Sequence, residues 1–112
     1  MSRDALIVGI NQHEHLPSLT SPAHDAEAIA QRLSQTSEFR VKRLPERIEQ
    51  GSQNHPVVSS TQSVSQIQLE QALEQLFLPN STQAPNTALF YFSGHGLPDQ
   101  KGFDKGYLAA SD

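Results

Sequence analysis

The sequence predicts an α/β sandwich in which helices cover a mainly parallel sheet. Two uninterrupted apolar runs, at residues 5–10 and 88–92, are typical of strands buried on both faces. Between them lie two segments whose apolar residues repeat with the period of a helix. Strands therefore alternate with helices, and right-handed crossovers place those helices against the sheet. The length of 112 residues suits one domain over residues 1–112.

The first helix and the second strand follow the first apolar run. Ser21 and Pro22 predict the helix start, because a hydroxyl side chain suits the N-cap and proline suits the first turn. An apolar face follows at helical spacing, formed by Ala26, Ile29, Ala30 and Leu33. Residues 39–44 alternate partly between apolar and polar side chains, which predicts a strand with one less buried face.

A polar segment at about residues 45–62 separates this strand from the second helix. Its composition predicts a mobile insertion without regular structure. Ser65 and Gln68 then match a capping box, which marks the start of a helix. The apolar face of that helix consists of Leu69, Ala72, Leu73, Leu76 and Phe77. The run at residues 88–92 is the third strand, and residues 107–110 predict a further short one.

Composition argues against several classes of function. The chain has 12 acidic and 8 basic residues and a net charge of −4, so we expect neither nucleic acid nor a membrane surface as partner. No apolar run approaches the roughly 20 residues that span a bilayer, and no secretory signal is visible, so we expect a cytoplasmic protein. Because the chain contains no cysteine, it holds no disulfide, thiolate zinc site or thiol nucleophile.

Candidate catalytic residues follow the first and third predicted strands. Ligands of open α/β sheets bind beyond the carboxyl ends of the strands, and residues 11–15 and 93–96 occupy those positions. His95 lies between two glycines, which tolerate unusual backbone angles and the close approach of another segment. Its imidazole exchanges protons near neutral pH, which suits general acid–base catalysis. From spacing alone, a structural histidine in a tight turn is an equal alternative.

Other polar residues allow both a structural and a functional interpretation. Asp25 lies in the first turn of the predicted helix, where its charge favours the helix N-terminus, and a pocket for a cationic side chain is the functional alternative. The histidines at positions 13, 15 and 24 do not have the spacing of a metalloprotease helix, so we interpret them as surface-loop histidines. Loop aspartates such as Asp104 offer oxygen ligands for calcium, although such aspartates are common.

Four segments resemble the caspase-like peptidases, in particular metacaspases and prokaryotic caspase homologues of peptidase family C14. ALIVGIN at residues 5–11 is similar to their first strand, and HDAEAIAQRL at residues 24–33 to their first helix. FYFSGHG at residues 90–96 resembles their histidine motif and is the most specific segment. GYLAASD at residues 106–112 resembles the segment that follows it. The resemblance covers the chain apart from the polar insertion.

The resemblance implies a fold and a catalytic histidine. The fold is the caspase–hemoglobinase three-layer sandwich, incomplete here at its C-terminal side, and the activity is that of a cysteine endopeptidase with a Cys–His dyad. His95 stands at the position of the catalytic histidine, and the amide of Gly96 at that of an oxyanion donor. The cysteine of the family follows the next strand, so we expect it beyond residue 112. The chain alone is then inactive, and its partner is the remaining C-terminal part of the catalytic domain.

The resemblance also implies which peptide bond is cleaved. Asp25 stands where metacaspases carry a pocket aspartate, and Ser93 matches a residue that lines the same pocket. Residues 11–31 contain no Lys or Arg, whereas caspases that cleave after Asp carry an arginine in this loop. We therefore expect peptide or protein substrates to be cleaved after Arg or Lys. No cofactor is required, although some metacaspases bind calcium and Asp104 falls near one of those positions.

Two alternatives stay open, and a third is set aside. A catalytically inactive caspase-like module would act in protein interaction or signalling, and the sequence after the next strand distinguishes it by the presence or absence of a cysteine. A separase-like or CHAT-type peptidase is the second alternative, but its histidine segment usually looks less like FSGHG. A nucleotide-binding α/β domain is the third, and it lacks support because Gly9 is the only glycine before Gly51.

Overall fold

The computed structural model describes residues 3–36, 38–51, 53–77, 86–98 and 106–112. This part of the chain contains two helices and seven strands. In chain order they are β1 (Arg3–Gly9), α1 (Pro22–Gln35), β2 (Phe39–Leu44), β3 (Glu46–Glu49), β4 (His55–Val58), α2 (Gln66–Phe77), β5 (Thr87–Ser93), β6 (Gly96–Pro98) and β7 (Gly106–Leu108).

The main sheet is parallel and has the strand order β2-β1-β5. At one level of the sheet, Ala5 of β1 lies between Val41 of β2 and Leu89 of β5. The central position of β1 explains its uninterrupted apolar run, since residues 5–8 are at most 2 % exposed. The mainly parallel sheet predicted from the sequence is confirmed.

The side chains of β1 separate two apolar cores. One core joins alternate residues of β1 to α1, and its buried members are Ala5, Ile7, Ala23, Ala26, Ala30 and Val58. The other joins the intervening residues to α2, and its buried members are Leu6, Val8, Ile10, Val64, Leu69 and Leu76. Because successive side chains of a strand point to opposite faces, the two helices cover opposite faces of the sheet. The described elements therefore form three layers.

The first turn of α1 lies directly against the end of β1. A Cβ atom on Gly9 would be 2.5 Å from the carbonyl oxygen of Pro22 and 2.7 Å from the Cβ of Ala26. Only a residue without a side chain allows this approach. The contact brings the N-terminus of α1 to the carboxyl end of the sheet.

Two details of α1 differ from the sequence-based prediction. Ile29, predicted on the apolar face, is 37 % exposed, because the buried face is centred on small alanines. Ser21 occupies the N-cap, but its side chain makes no capping hydrogen bond. The side chain of Asn11 caps the helix instead, since its Oδ1 accepts a 2.9 Å hydrogen bond from the amide of Ala23.

The capping box predicted for α2 is confirmed. The amide of Gln68 donates to Oγ of Ser65 at 3.1 Å, and the amide of Ser65 donates to Oε1 of Gln68 at 2.9 Å. Leu69 and Leu76 are buried, whereas Phe77 at the end of the helix is 52 % exposed. The buried face of α2 is therefore narrower than the sequence predicted.

The polar segment after β2 has regular structure. β3 and β4 pair as an antiparallel hairpin, with Glu46 opposite Val58 and Glu49 opposite His55. Val57 and Val58 are buried, and Val58 belongs to the core under α1. The structure differs here from the predicted irregular insertion, because these two valines anchor an otherwise polar hairpin.

An ion pair with little exposure links α1, β2 and β4. Arg43 donates from Nε and Nη2 to the two carboxylate oxygens of Glu27, at 3.0 and 3.3 Å. The amide of Val58 donates to the same carboxylate at 2.8 Å. The side chains of Arg43 and Glu27 are 8 % and 16 % exposed. This pair explains how a charged residue of a strand is accommodated at the edge of the core.

β5 is an edge strand of the main sheet. Within the described residues it pairs with β1 alone, and its apolar residues 89–92 are only half-buried. After it, β6 and β7 pair with each other as a separate antiparallel sheet. In the described ranges, neither helix has the length and apolar character needed to cross a membrane.

Candidate active site

The carboxyl ends of β1 and β5 meet at one rim of the sheet. Gly9 pairs with Ser93 at the last position of the register, and the amide of Ile10 donates a 3.0 Å hydrogen bond to the carbonyl oxygen of Ser93. The loop after β1 and the segment after β5 therefore leave the sheet side by side. The rim is where parallel α/β sheets place their ligands.

His95 follows β5 and is bound to the loop that follows β1. Its Nε2 lies 2.8 Å from the carbonyl oxygen of Pro17. A carbonyl oxygen only accepts hydrogen bonds, so Nε2 carries the proton and donates it. In the neutral ring, Nδ1 is then the atom that can accept a proton. The residue is half-buried and belongs to neither apolar core.

The two glycines that flank His95 have different surroundings. Neither Gly94 nor Gly96 has a φ angle in the left-handed region, so unusual backbone angles do not explain them. A Cβ atom on Gly94 would come within 3.1 Å of the ring of Phe92, which is tighter than ordinary contact. A Cβ on Gly96 would meet its nearest neighbour, the carbonyl oxygen of Tyr107, at 3.8 Å. The absence of a side chain at Gly94 thus allows the ring of Phe92 to pack closely, whereas Gly96 is exposed.

Asn11 fixes the loop that carries Pro17. It is 4 % exposed, and besides capping α1 it accepts a 2.8 Å hydrogen bond from the amide of Leu19 through its carbonyl oxygen. Both bonds join Asn11 to residues that follow Pro17, and they close the loop that carries this proline. This role of Asn11 was not predicted from the sequence, although an asparagine directly after a buried strand is a signal for such local hydrogen bonding.

His13 is not the surface-loop histidine that the sequence predicted. Both of its ring nitrogens are buried and make no hydrogen bond with any described residue. Its ring centroid lies 4.6 Å from that of His95, with 79° between the ring planes. His15 and His24 are exposed, as predicted. The spacing of the histidines carried no signal for this contact, because it depends on how the loop folds against the segment after β5.

Ser111 and Asp112 connect the loop after β1 to the start of α2. The carbonyl oxygen of Ser111 accepts a 2.6 Å hydrogen bond from the amide of Glu14, while its Oγ accepts one of 2.7 Å from the amide of Val64. The carboxylate of Asp112 accepts a 2.8 Å hydrogen bond from the amide of Gln66, in the first turn of α2. The loop after β1 is therefore closed by Asn11 and is held at Glu14 by Ser111.

The predicted substrate-binding residues lie on elements that meet at Gly9. Ser93 pairs with Gly9, and Gly9 contacts the first turn of α1, which carries Asp25. Asp25 is exposed and Ser93 is half-buried. Their binding of a substrate side chain stays a prediction. Asp104, the predicted calcium ligand, lies outside the described residues.

Two open cavities adjoin His13. One, of about 450 Å³, extends toward Leu69 and Leu73 of α2, and the other, of about 420 Å³, is lined by polar residue types that include Glu14 and Asp112. Across the part of the chain that the structure describes, no three His, Cys, Asp or Glu side chains are grouped so that they could hold a metal ion. The imidazole of His95 lies at the rim beside His13, and its role as an acid–base group stays a prediction.

Comparison with known proteins identifies a family. The family model described as caspase domain matches residues 2–112, which is nearly the whole chain. No curated protein and no solved structure matches. The matched range includes β1, α1 and the histidine segment on which the resemblance in the sequence rests.

Proposed function

Because this chain belongs to the caspase domain family, we propose that it supplies the histidine of a Cys–His dyad to a cysteine endopeptidase. The family is one of cysteine peptidases, whose substrates are proteins. The proposal assigns His95 as the general base. Residues 1–112 contain no cysteine, so the proposal places the nucleophile outside this range and makes the chain the large-subunit portion of the enzyme.

The hydrogen bond between His95 and Pro17 carries this proposal. It holds the ring at the rim and makes Nδ1 the proton acceptor. A base oriented by a third group within hydrogen-bonding distance is the arrangement that activates a nucleophile in many enzymes. The carbonyl dipole of Pro17 also stabilises the imidazolium, because Nε2 remains a donor after Nδ1 has taken up a proton.

The second edge of β5 supports the location proposed for the cysteine. In the described residues this edge has no strand partner, and a parallel strand added there would lie about 4.8 Å from β5. The carboxyl end of that strand would reach the same rim as His95. A cysteine directly after it would then stand beside the imidazole.

The proposed reaction is acyl transfer through the cysteine sulfur. Nδ1 of His95 takes the thiol proton, and the thiolate attacks the carbonyl carbon of the substrate. The imidazolium returns this proton to the amine as the C–N bond breaks, which leaves a thioester. Water then hydrolyses the thioester, with the same ring as base. The exposed backbone amide of Gly96 is the proposed donor to the oxyanion.

We also propose cleavage after Arg or Lys. Asp25 is an exposed carboxylate in the first turn of α1, and this turn contacts Gly9 next to Ser93. Such a carboxylate would bind a cationic side chain, and Ser93 would line the same pocket. Residues 11–31 contain no Lys or Arg that could bind a substrate aspartate. The dyad requires no cofactor, and comparing the effect of a chelator on the wild type and on Asp104→Asn tests whether calcium acts through Asp104.

Peptide hydrolysis tests the proposal. The chain is combined with the remaining part of its catalytic domain, and fluorogenic peptides ending in Arg, Lys or Asp are compared. We expect cleavage after Arg and Lys, a loss of about 10²–10⁴-fold in kcat for His95→Ala, and a raised KM for Asp25→Asn. The exposed His24→Ala is the matched control and should leave activity unchanged. Full activity of His95→Ala would contradict the dyad, and cleavage after Asp would contradict the pocket.

The lack of cysteine favours one other function, a catalytically inactive caspase-like module for protein interaction. His95 then has no sulfur to activate and serves only the packing of the rim. The coding sequence beyond Asp112 distinguishes the two functions. A cysteine directly after the next apolar strand supports the peptidase, and its absence supports the interaction module.

A further inference from the structure

We propose that His13 is a positioning residue that fixes the plane of the His95 ring. This inference rests on the proposed function, because it concerns the base of that dyad. His13 lies between the segments that carry the family resemblance, which end at residue 11 and begin again at residue 24. Its role follows from its contacts alone.

A single hydrogen bond does not fix an imidazole ring. The bond from Nε2 to Pro17 sets one ring atom 2.8 Å from its acceptor, but the ring can still turn about the line from Cβ to Nε2. Gly94 and Gly96 contribute no side chains that would stop this rotation. Rotation swings Nδ1 away from the nucleophile that it must deprotonate. The ring therefore needs a second contact.

His13 provides that second contact. The two ring centroids are 4.6 Å apart and the planes are 79° apart, which is the edge-to-face arrangement that aromatic pairs prefer. Two rings in this arrangement restrict each other, because rotation of either brings its atoms into overlap with the other. The hydrogen bond to Pro17 and the contact with His13 together fix both the position and the plane of the His95 ring.

Both sequence neighbours of His13 are hydrogen-bonded to distant segments. Before it, Nε2 of Gln12 donates a 3.3 Å hydrogen bond to the carbonyl oxygen of Ser60. After it, the amide of Glu14 donates a 2.6 Å hydrogen bond to the carbonyl oxygen of Ser111. A residue that positions another must be held in place, and His13 meets this requirement.

The buried nitrogens of His13 indicate that it acts through the surface of its ring. Neither nitrogen bonds to a described residue, so the imidazole gains nothing there from its polarity. Burial of a polar group without a partner destabilises a fold, whereas a phenyl ring of similar shape carries no such penalty. The contact should therefore survive the replacement of imidazole by phenyl.

Nuclear magnetic resonance of the 112-residue chain tests the inference without any peptidase activity. The order parameters of the ring C–H bonds of His95 are measured in the wild type and in His13→Ala and His13→Phe. We expect about 0.85 in the wild type, below about 0.6 in His13→Ala, and the wild-type value again in His13→Phe. The control is His15→Ala, because His15 lies on the same loop with its side chain 77 % exposed.

The two variants of His13 separate shape from polarity. An unchanged order parameter in His13→Ala would overturn the inference, as would a loss in His13→Phe that equals the loss in His13→Ala. Amide spectra recorded on each variant show whether the fold is kept. If His13→Ala unfolds, His13→Val, which leaves a smaller cavity but removes the ring, takes its place: it should lower the order parameter, and an unchanged value would overturn the inference.

The kinetic constants of the assembled catalytic domain provide a second test, because a positioning role should change kcat and KM differently. His13→Ala should lower kcat about tenfold with little change in KM, and His13→Phe should restore kcat. A change in KM alone would overturn the positioning role. If the assembled domain has no activity, the proposed function fails, while the ring-order experiment still decides the role of His13.

Discussion

Replacement of Arg43 by methionine removes one partner of the ion pair that joins α1 to β2 and β4. Among the described residues, the variant leaves the carboxylate of Glu27 with one donor, the amide of Val58 at 2.8 Å. Because the Glu27 side chain is only 16 % exposed, water restores little of the lost interaction. Methionine fills most of the volume of the arginine stem, so the effect measured is chiefly that of the missing charge.

The expected loss follows from the burial of the pair. Breaking a buried ion pair by removing one partner costs about 3–5 kcal/mol, and the partial exposure of Glu27 favours the lower value. A loss of about 3 kcal/mol lowers the Tm of a domain of this size by about 12 °C. Adding Glu27→Gln to Arg43→Met removes the uncompensated charge and keeps an acceptor for Val58. The free energy of unfolding lost in the double variant should therefore be smaller, by about 1 kcal/mol or more, than the sum of the losses in the two single variants.

Urea unfolding followed by far-ultraviolet circular dichroism measures these free energies. The matched control is Arg40→Met, because Arg40 lies on the same strand and pairs with Asp4, but its side chain is 58 % exposed. Exposed pairs contribute up to about 1 kcal/mol, so the control should lose no more than this. If Arg43→Met lost no more than Arg40→Met, the pair would not link the hairpin to the core as argued.

Three further substitutions test the local structure of the rim and the helices, each by its free energy of unfolding in urea. Asn11→Ala leaves the amide of Ala23 without its acceptor and should cost about 1–2 kcal/mol, and a loss below 0.5 kcal/mol would contradict the capping role. Gly9→Ala places a Cβ atom 2.5 Å from the carbonyl oxygen of Pro22 and should cost about 1–3 kcal/mol, whereas a stabilised variant would show that α1 can move away freely. Ser65→Ala removes one half of the capping box and should cost about 1 kcal/mol, and an unchanged midpoint would contradict that assignment.

Much of the fold could be predicted because burial on both faces leaves a clear pattern in the sequence. The uninterrupted apolar run at residues 5–10 predicted the central strand, and the pair of Ser65 and Gln68 predicted the start of α2. The hairpin of β3 and β4 left no such pattern, since only Val57 and Val58 anchor it. Contact with α1, rather than local propensity, gives that segment its structure.

The candidate site could be predicted in part, and for a similar reason. His95 stands in a recognisable motif, whereas Pro17 contributes a backbone carbonyl that any residue type would supply. His13 and Asn11 act through contacts with segments that are distant in sequence. Composition and spacing describe single segments, so they do not reveal which loop meets the histidine.

The protonation of the His95 ring tests the central claim most directly. Long-range nitrogen–proton correlation spectra of the ¹⁵N-labelled chain, recorded at a pH where the ring is neutral, identify which nitrogen carries the proton. The bond to Pro17 requires Nε2 to be protonated and Nδ1 to be bare. A ring protonated at Nδ1 would contradict the account, because the atom proposed to receive the thiol proton would already hold one.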